Sequence, residues 1–133
     1  MRPVVLSPPA ESDPLARELE RRVLANLKKP EVRRVFARMW ATVVVVCRPS
    51  PASGGDAGYS RGTTLTLRFD YGVLTIHEGR VGRPDITLWG TAEEILGLSL
   101  LRTLLPGVGA QVFGKGAHPR LVYRLVRILD DGS

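Results

Sequence analysis

One stretch of the chain, residues 63–105, constrains the fold more than any other. Residues 64–69 and 74–77 alternate apolar and polar side chains with a period of two. That period is typical of strands in a sheet that has one buried face and one wet face. The residues between them, from Phe69 to Val73, predict a tight turn. The stretch therefore begins with an antiparallel hairpin.

A third strand is predicted at residues 84–90, and a helix follows it directly. Thr91 and Glu94 have the spacing of a capping box, so this helix begins at about Ala92. Its apolar side chains wrap too far around the axis to form one stripe: Ile95, Leu96, Leu98, Leu100, Leu101, Leu104 and Leu105. Such a helix is either buried in the protein core or faces something apolar that is not protein, such as a lipid.

Two helices and a strand are predicted before this stretch. Asp13 and Pro14 suit the start of an amphipathic helix that ends before Pro30. A second, short helix begins at Glu31 and directs four apolar side chains to one side: Val32, Val35, Phe36 and Met39. Core packing explains the first two, whereas Phe36 and Met39 could equally touch a ligand. Residues 41–47 are continuous and rich in valine, which predicts a central strand.

After the apolar helix, Pro106 and Gly107 break the chain. Residues 111–116 predict a last short strand, and Pro119 opens a terminal helix with an apolar inner face. Its outer face carries three arginines, which are either solvated or in contact with lipid head groups: Arg120, Arg124 and Arg127.

The size of the chain predicts one domain. A length of 133 residues with 44% hydrophobic composition suffices for one compact core. We expect a flexible arm at residues 1–11, which contain three prolines, and a single domain at residues 12–133. No run of about 18 apolar residues is present, and the first residues do not form a secretory signal. A soluble, cytoplasmic protein is expected, and the lone Cys47 fits a reducing compartment.

The formal charge of +6 and the pI near 10.2 raise the question of an anionic partner. The basic residues, sixteen of them arginine, are scattered among acids along the chain. Tyr59, Tyr71 and Tyr123 do not cluster with arginines in the sequence, as a platform for stacking bases would require. We therefore expect no nucleic-acid partner, while transient contact with an anionic membrane surface remains open. The sequence carries no signal for the oligomeric state.

Three motifs could indicate catalysis or cofactor binding, but the residues around each of them do not fit such a site. Residues 109–115 match a phosphate-binding loop, but Gly116 stands where Ser or Thr should bind magnesium. Cys47 and His77 lie on strands with no reason to meet as nucleophile and base. His77 and His118 do not reach the ligand number of a zinc site. The sequence therefore predicts no enzyme, no metal and no cofactor.

The order of elements and several short motifs resemble the sterol carrier protein type 2 domain family. The matching motifs are Tyr71-Gly72-Val73-Leu74-Thr75-Ile76, Pro84-Asp85-Ile86-Thr87-Leu88, Gly90-Thr91-Ala92-Glu93-Glu94-Ile95-Leu96 and Lys115-Gly116. The resemblance implies an α+β fold in which about five strands form a sheet covered on one face by helices. It also implies an apolar tunnel for acyl chains, acyl-CoA, sterols or phospholipids, and no catalysis by the domain.

The form Pro84-Asp85-Ile86-Thr87-Leu88-Trp89-Gly90-Thr91 is similar to the bacterial branch of the family, which includes accessory factors that hold prenylated quinone precursors. The expected function is therefore non-catalytic binding and transport of an apolar ligand. The alternative is an accessory or scaffold protein of a lipid or quinone biosynthesis complex that has no ligand of its own. From the elements that form the tunnel wall in the family, six residues are expected to contact the ligand: Phe36, Met39, Leu96, Leu100, Leu104 and Phe113.

Overall fold

The computed structural model describes residues 2–49, 62–96, 111–113 and 119–130. The first half of the chain contains strand β1 (Val4–Leu6), a 3-10 helix (Pro8–Ser12), helices α1 (Pro14–Asn26) and α2 (Pro30–Arg38), and strand β2 (Trp40–Arg48). The second half contains strands β3 (Thr63–Asp70), β4 (Leu74–Glu78) and β5 (Ile86–Thr91), helix α3 (Ala92–Leu96), strand β6 (Gln111–Phe113) and helix α4 (Pro119–Leu129). The predicted α+β class is confirmed.

All the described strands join one mixed sheet with the order β1-β4-β3-β2-β5-β6. Strand β2 pairs antiparallel with β3 and parallel with β5, so it lies in the middle, as its valine-rich sequence predicts. Strands β3 and β4 form the predicted antiparallel hairpin. Strand β6 closes the far edge, antiparallel to β5. The five predicted strands are therefore present.

The sixth strand lies in the segment that the sequence analysis assigned to a flexible arm. Val4 to Leu6 pair in parallel with Leu74 to Ile76, and Val4 is buried in the core. Ala10, in the 3-10 helix that follows, is also fully buried. The expectation of a flexible arm is therefore wrong for residues 4–11. Prolines suggest an irregular chain, but Pro3 and Pro8 flank this strand and do not interrupt its ladder.

The helix starts follow the local signals in the sequence. Asp13 Oδ1 accepts hydrogen bonds from the backbone amides of Leu15 at 2.8 Å and Ala16 at 3.2 Å, which caps α1. At α3 the backbone amide of Thr91 donates to Glu94 Oε1 at 2.9 Å, and the amide of Glu94 donates to Thr91 Oγ1 at 3.3 Å. The predicted capping box is confirmed.

The turn between β3 and β4 has two central residues, both in the left-handed region. Tyr71 has a φ of 45° and Gly72 a φ of 94°. The amide of Asp70 donates to the carbonyl of Val73 at 2.8 Å, which closes the turn. Two positive φ angles match the twist of a hairpin, and glycine supplies the second without strain. The predicted tight turn is confirmed.

The two faces of the sheet differ in what covers them. The side chains of one face, here called the inner face, belong to the hydrophobic core, together with residues of the four described α-helices. Buried Asn26 fastens two of these helices to each other, because its Nδ2 donates to the carbonyls of Ile128 at 2.7 Å and Asp130 at 2.8 Å. The helices therefore cover one face, as predicted.

The opposite, outer face is crossed by the connection from β4 to β5, residues 79–85, here called the crossing loop. It is fastened by Thr66 on β3, whose Oγ1 donates to the carbonyl of Gly79 at 2.7 Å and accepts from the amide of Val81 at 2.9 Å. At its end Asp85 Oδ2 accepts from the amide of Thr42 at 2.9 Å. The outer face is therefore mixed in character and covered only in part, since Val44 and Thr66 are buried on it whereas Trp40 is exposed.

Within the described ranges, no helix combines the length and the apolar character that a membrane crossing requires.

Candidate ligand-binding site

Among the described side chains, those on the inner face of the sheet are all apolar apart from one thiol. The alternation of each strand turns every second residue to this side. These residues are at most 4% exposed: Ala41, Val43, Val45 and Cys47 on β2, Leu65, Leu67 and Phe69 on β3, Leu74 and Ile76 on β4, and Ile86 and Leu88 on β5. Such a surface can bury hydrocarbon, but it offers no group for acid–base chemistry.

Two of the predicted ligand-contacting residues lie where β2 begins. Phe36, on the inner side of α2, packs edge to face on Phe69, with ring centroids 6.2 Å apart and an interplanar angle of 81°. Met39, between α2 and β2, is completely buried. Both residues thus contribute to the core at this end of the sheet, and contact with a ligand remains a prediction for them.

A third predicted residue, Leu96, lies at the opposite end of the sheet. Helix α3 follows β5, whose last residue, Thr91, is in register with Arg48 at the end of β2. The side chain of Leu96 is half-buried against the core, and its carbonyl accepts a hydrogen bond from Arg22 Nη1 of α1. The nine residues of β2 span about 26 Å. The structure therefore does not bring Leu96 close to Phe36 and Met39.

The other three predicted residues have no described side chain. Leu100 and Leu104 lie outside the described residues. Phe113 belongs to strand β6, in register with Thr87 of β5, but its side chain is not described. Contact of these three residues with a ligand stays a prediction.

Cys47 and His77 project from opposite faces of the sheet. Cys47 belongs to the inner core, whereas His77 lies on the outer face beside the inward-facing Ile76. Burial, together with the negative charges of Asp13 and Glu93, raises the pKa of the Cys47 thiol to about 11. The thiol is therefore protonated at neutral pH and cannot act as a nucleophile paired with His77.

The described parts of the chain also offer no candidate metal site, and the possible nucleotide motif lies mostly outside them. There, no group of three or more His, Cys, Asp and Glu residues could hold a metal ion. The phosphate-loop spacing at residues 109–115 and the second histidine, His118, fall largely or wholly outside those parts.

The outer face has a shallow cleft that sequence reasoning did not single out. Its volume is about 250 Å³, and Trp40 forms part of its wall. Polar side chains from neighbouring strands line it: Thr42, Arg68, Asp70, Thr75, His77 and Asp85. The sequence does hint at this cleft, because the polar residues that line it alternate along the strands with the apolar residues of the inner face. The register that places Thr42 beside Arg68, and Arg68 beside Thr75, could not be read from it.

The chain resembles known proteins in its three-dimensional structure, whereas comparisons of its sequence find no match. No protein-family model matches the chain, and no curated protein matches it significantly. A solved structure described as sterol carrier protein 2 superposes with a TM-score of 0.51 at 16% identity, over 85% of this chain and 94% of the other. A structure described as "UbiJ-SCP2 Ubiquinone synthesis protein" superposes with a TM-score of 0.56 at 17% identity, over 92% and 91%.

The chain has an SCP2-like fold. The predicted resemblance is confirmed at this level, because both comparisons cover more than nine tenths of the other protein. At a sequence identity of 16% or 17%, the superposition supports a shared architecture but not a shared ligand. The SCP2-like fold thus accounts for a mixed sheet with helices on one face, and the ligand and its contacts have to be argued from this chain's own residues.

Proposed function

We propose that the protein is a non-catalytic carrier that holds an apolar ligand between the inner face of the sheet and its helices. The observation that carries the proposal is the SCP2-like fold, shared with a structure named a sterol carrier protein. The chemistry of the inner face supports it, since this face offers hydrocarbon and one protonated thiol. A ligand there gains affinity from burial and meets no described group that could activate it.

The expected affinity follows from the length of the ligand. Each methylene transferred from water contributes about 0.8 kcal/mol, so ten methylenes give roughly 8 kcal/mol before association and ordering costs. Micromolar binding corresponds to roughly 8 kcal/mol net, so the ligand has to bury more than ten methylenes to reach that range. A carrier needs such an affinity because it has to release its ligand.

The separation of the predicted contact residues favours an extended ligand. Phe36 and Met39 lie at the start of β2, and Leu96 follows a strand that ends beside the last residue of β2. A molecule that touches all three has to extend over most of the length of that strand. Long acyl chains and prenylated quinones meet this requirement better than compact sterols do.

Two leucine substitutions test the proposal against a matched control. Leu100→Glu and Leu96→Glu place a charge in the proposed cavity wall, and each should weaken binding of a fluorescent fatty acid at least tenfold. Unfolding in urea should stay cooperative. Leu24→Glu is the control, because Leu24 on α1 is 41% exposed and should change neither property. Loss of cooperative unfolding in both wall variants would instead make these leucines part of the protein core.

A second function is favoured by the description of the other structural match as a ubiquinone synthesis protein. In this alternative the protein is an accessory or scaffold subunit of a lipid or quinone biosynthesis complex and holds no ligand itself. A stable complex with a lipid-modifying enzyme on pull-down, together with no fatty acid or prenylated quinone bound at tens of micromolar, would support it over the carrier function.

A further inference from the structure

The cleft on the outer face lies where the crossing loop leaves part of the sheet uncovered. The loop is fastened to Thr66, two residues before Arg68 on β3, and it returns to the sheet at Asp85. The cleft has a volume of about 250 Å³. At liquid density this volume corresponds to about eight water molecules, so a ligand with a similar number of non-hydrogen atoms fits.

The register of the strands fixes the order of the side chains on the floor of the cleft. Thr75 of β4 pairs with Arg68 of β3, and Arg68 pairs with Thr42 of β2. Beyond Thr42, the amide of Asp85 donates to the Thr42 carbonyl at 2.8 Å. Neighbouring strands are about 4.8 Å apart, so the backbones of Arg68 and Asp85 are roughly 10 Å apart. One row across the sheet therefore carries a cation and a carboxylate at a fixed separation.

The side of the cleft toward β4 offers hydrogen-bond donors. The exposed guanidinium of Arg68 has no hydrogen bond or ion pair with another described residue. The Thr75 hydroxyl also has no described partner, and the His77 imidazole follows it on the same face of β4. A guanidinium is a planar fork of donors that matches the two oxygens of a carboxylate. This side of the cleft suits an acidic group.

The opposite side of the cleft, around Trp40, offers carboxylates and an aromatic ring. Trp40 is 67% exposed and is in register with Asp70 at the end of β3. On the other side of β2, Asp85 Oδ2 accepts from the amide of Thr42 at 2.9 Å, which leaves Oδ1 for a second donor. An ammonium group beside an indole ring gains cation–π attraction in addition to its attraction to carboxylates. This side of the cleft suits a cation.

We propose that the outer-face cleft binds a small zwitterion of the dipeptide type, with its carboxylate on Arg68 and its ammonium group between Trp40 and Asp85. The two charged groups of an extended dipeptide are at most about 7 Å apart, which fits between side chains whose backbones are roughly 10 Å apart. The ammonium and carboxylate groups of a single amino acid are too close together to reach both sides. The cleft and the inner face lie on opposite sides of the sheet, so this ligand is independent of the proposed carrier function.

The charges of the cleft favour a zwitterion over an ion of one sign. A simple anion that binds Arg68 also meets the carboxylates of Asp70 and Asp85, and a simple cation that binds the carboxylates meets Arg68. Like charges at such distances disfavour binding. A zwitterion can place each of its charges beside the opposite one. Because exposed ion pairs contribute little, we expect a dissociation constant in the roughly millimolar range.

A nuclear magnetic resonance titration with glycylglycine and its two blocked forms tests the ligand class. Glycylglycine should shift the indole N–H signal of Trp40 and the amide signals of Thr42 and Arg68, while the indole signal of Trp89, outside the cleft, should stay in place. N-acetylation removes the ammonium group and C-amidation removes the carboxylate, and each form should bind on the order of tenfold more weakly. Equal binding of all three forms, or no shift at tens of millimolar, would overturn the proposal.

Two matched pairs of variants test the residues. Arg68→Gln and Asp85→Asn should each weaken glycylglycine binding on the order of tenfold, and asparagine keeps an oxygen for the amide of Thr42. Arg17→Gln and Glu11→Gln remove exposed charges elsewhere and should bind as the unaltered protein does.

The blocked dipeptides show which charge each residue binds. The C-amidated form has no carboxylate, so Arg68→Gln should not weaken its binding further, and Asp85→Asn should not weaken binding of the N-acetylated form. Equal losses in the cleft variants and in the controls would overturn the assignment. Binding of phosphoethanolamine that depends on Arg68, with no binding of glycylglycine, would replace the dipeptide by a phosphorylated amine.

Discussion

The two faces of the central sheet come from the same strands, yet they carry out different tasks. On β3, Leu67 points to the inner face and is fully buried, whereas its neighbours Thr66 and Arg68 point to the outer face. The inner face excludes water and can stabilise the fold or an apolar ligand. The outer face carries most of the polar side chains of these strands, holds the crossing loop and leaves a cleft open. The comparison shows that the period of two assigns each side chain its role before any tertiary contact is known.

The two faces should differ most in how far a substitution on each lowers the free energy of unfolding. Leu67→Ala removes a buried side chain from a central strand and should lower the free energy of unfolding by about 3 kcal/mol. Arg68→Ala, one residue away on the outer face, should change it by less than about 0.5 kcal/mol. Urea denaturation with an unchanged m value would measure both. Similar effects of the two substitutions would contradict the assignment of the faces.

The alkylation rate of Cys47 measures how well the inner face excludes water. With a pKa raised from 9.0 to about 11, its thiolate fraction at pH 8 is about a hundredfold lower in the folded protein than in the unfolded chain. Alkylation by iodoacetamide at pH 8 should be slower by at least this factor than in urea. Reaction at the unfolded rate would show that water reaches the inner face at this position.

The same pKa shift predicts the direction of a pH effect. Between pH 9 and pH 11 the unfolded chain loses the thiol proton while the folded protein keeps it. The folded state then binds more protons, so stability falls as the pH rises through this interval. Cys47→Val should remove this contribution, and an identical pH dependence in the two proteins would contradict it.

A smaller effect is expected where the crossing loop is fastened to the outer face. Thr66→Val leaves the carbonyl of Gly79 and the amide of Val81 without their partner, which should cost about 1.5 kcal/mol. Thr75→Val is the control, because Thr75 lies on the same face and its hydroxyl has no hydrogen bond to another described residue. Denaturation together with limited tryptic proteolysis at Arg80 would show whether the loop loosens. Equal behaviour of the two variants would show that Thr66 does not fasten it.

Local signals in the sequence predicted the elements whose causes are local. The cap at Asp13, the capping box of Thr91 and Glu94 and the turn at Tyr71 and Gly72 each depend on residues within a few positions of one another. Strand β1 was missed because its evidence is distant: three residues become a strand only when Val4 meets Leu74. A proline-rich segment gives no local hint of that pairing.

The candidate site was predictable in composition and not in geometry. The apolar periodicity selected Phe36, Met39 and Leu96, and all three contact the core in the structure. Their separation along β2 depends on the parallel pairing of β2 with β5, which no local pattern encodes.

Native mass spectrometry of the freshly purified protein, with the organic extract of the denatured sample analysed in parallel, tests the central claim most directly. The carrier function predicts a mass excess over the bare chain, matched by a co-extracted molecule with a long acyl or prenyl chain. A bare mass, together with no binding of a fluorescent fatty acid at tens of micromolar, would contradict it.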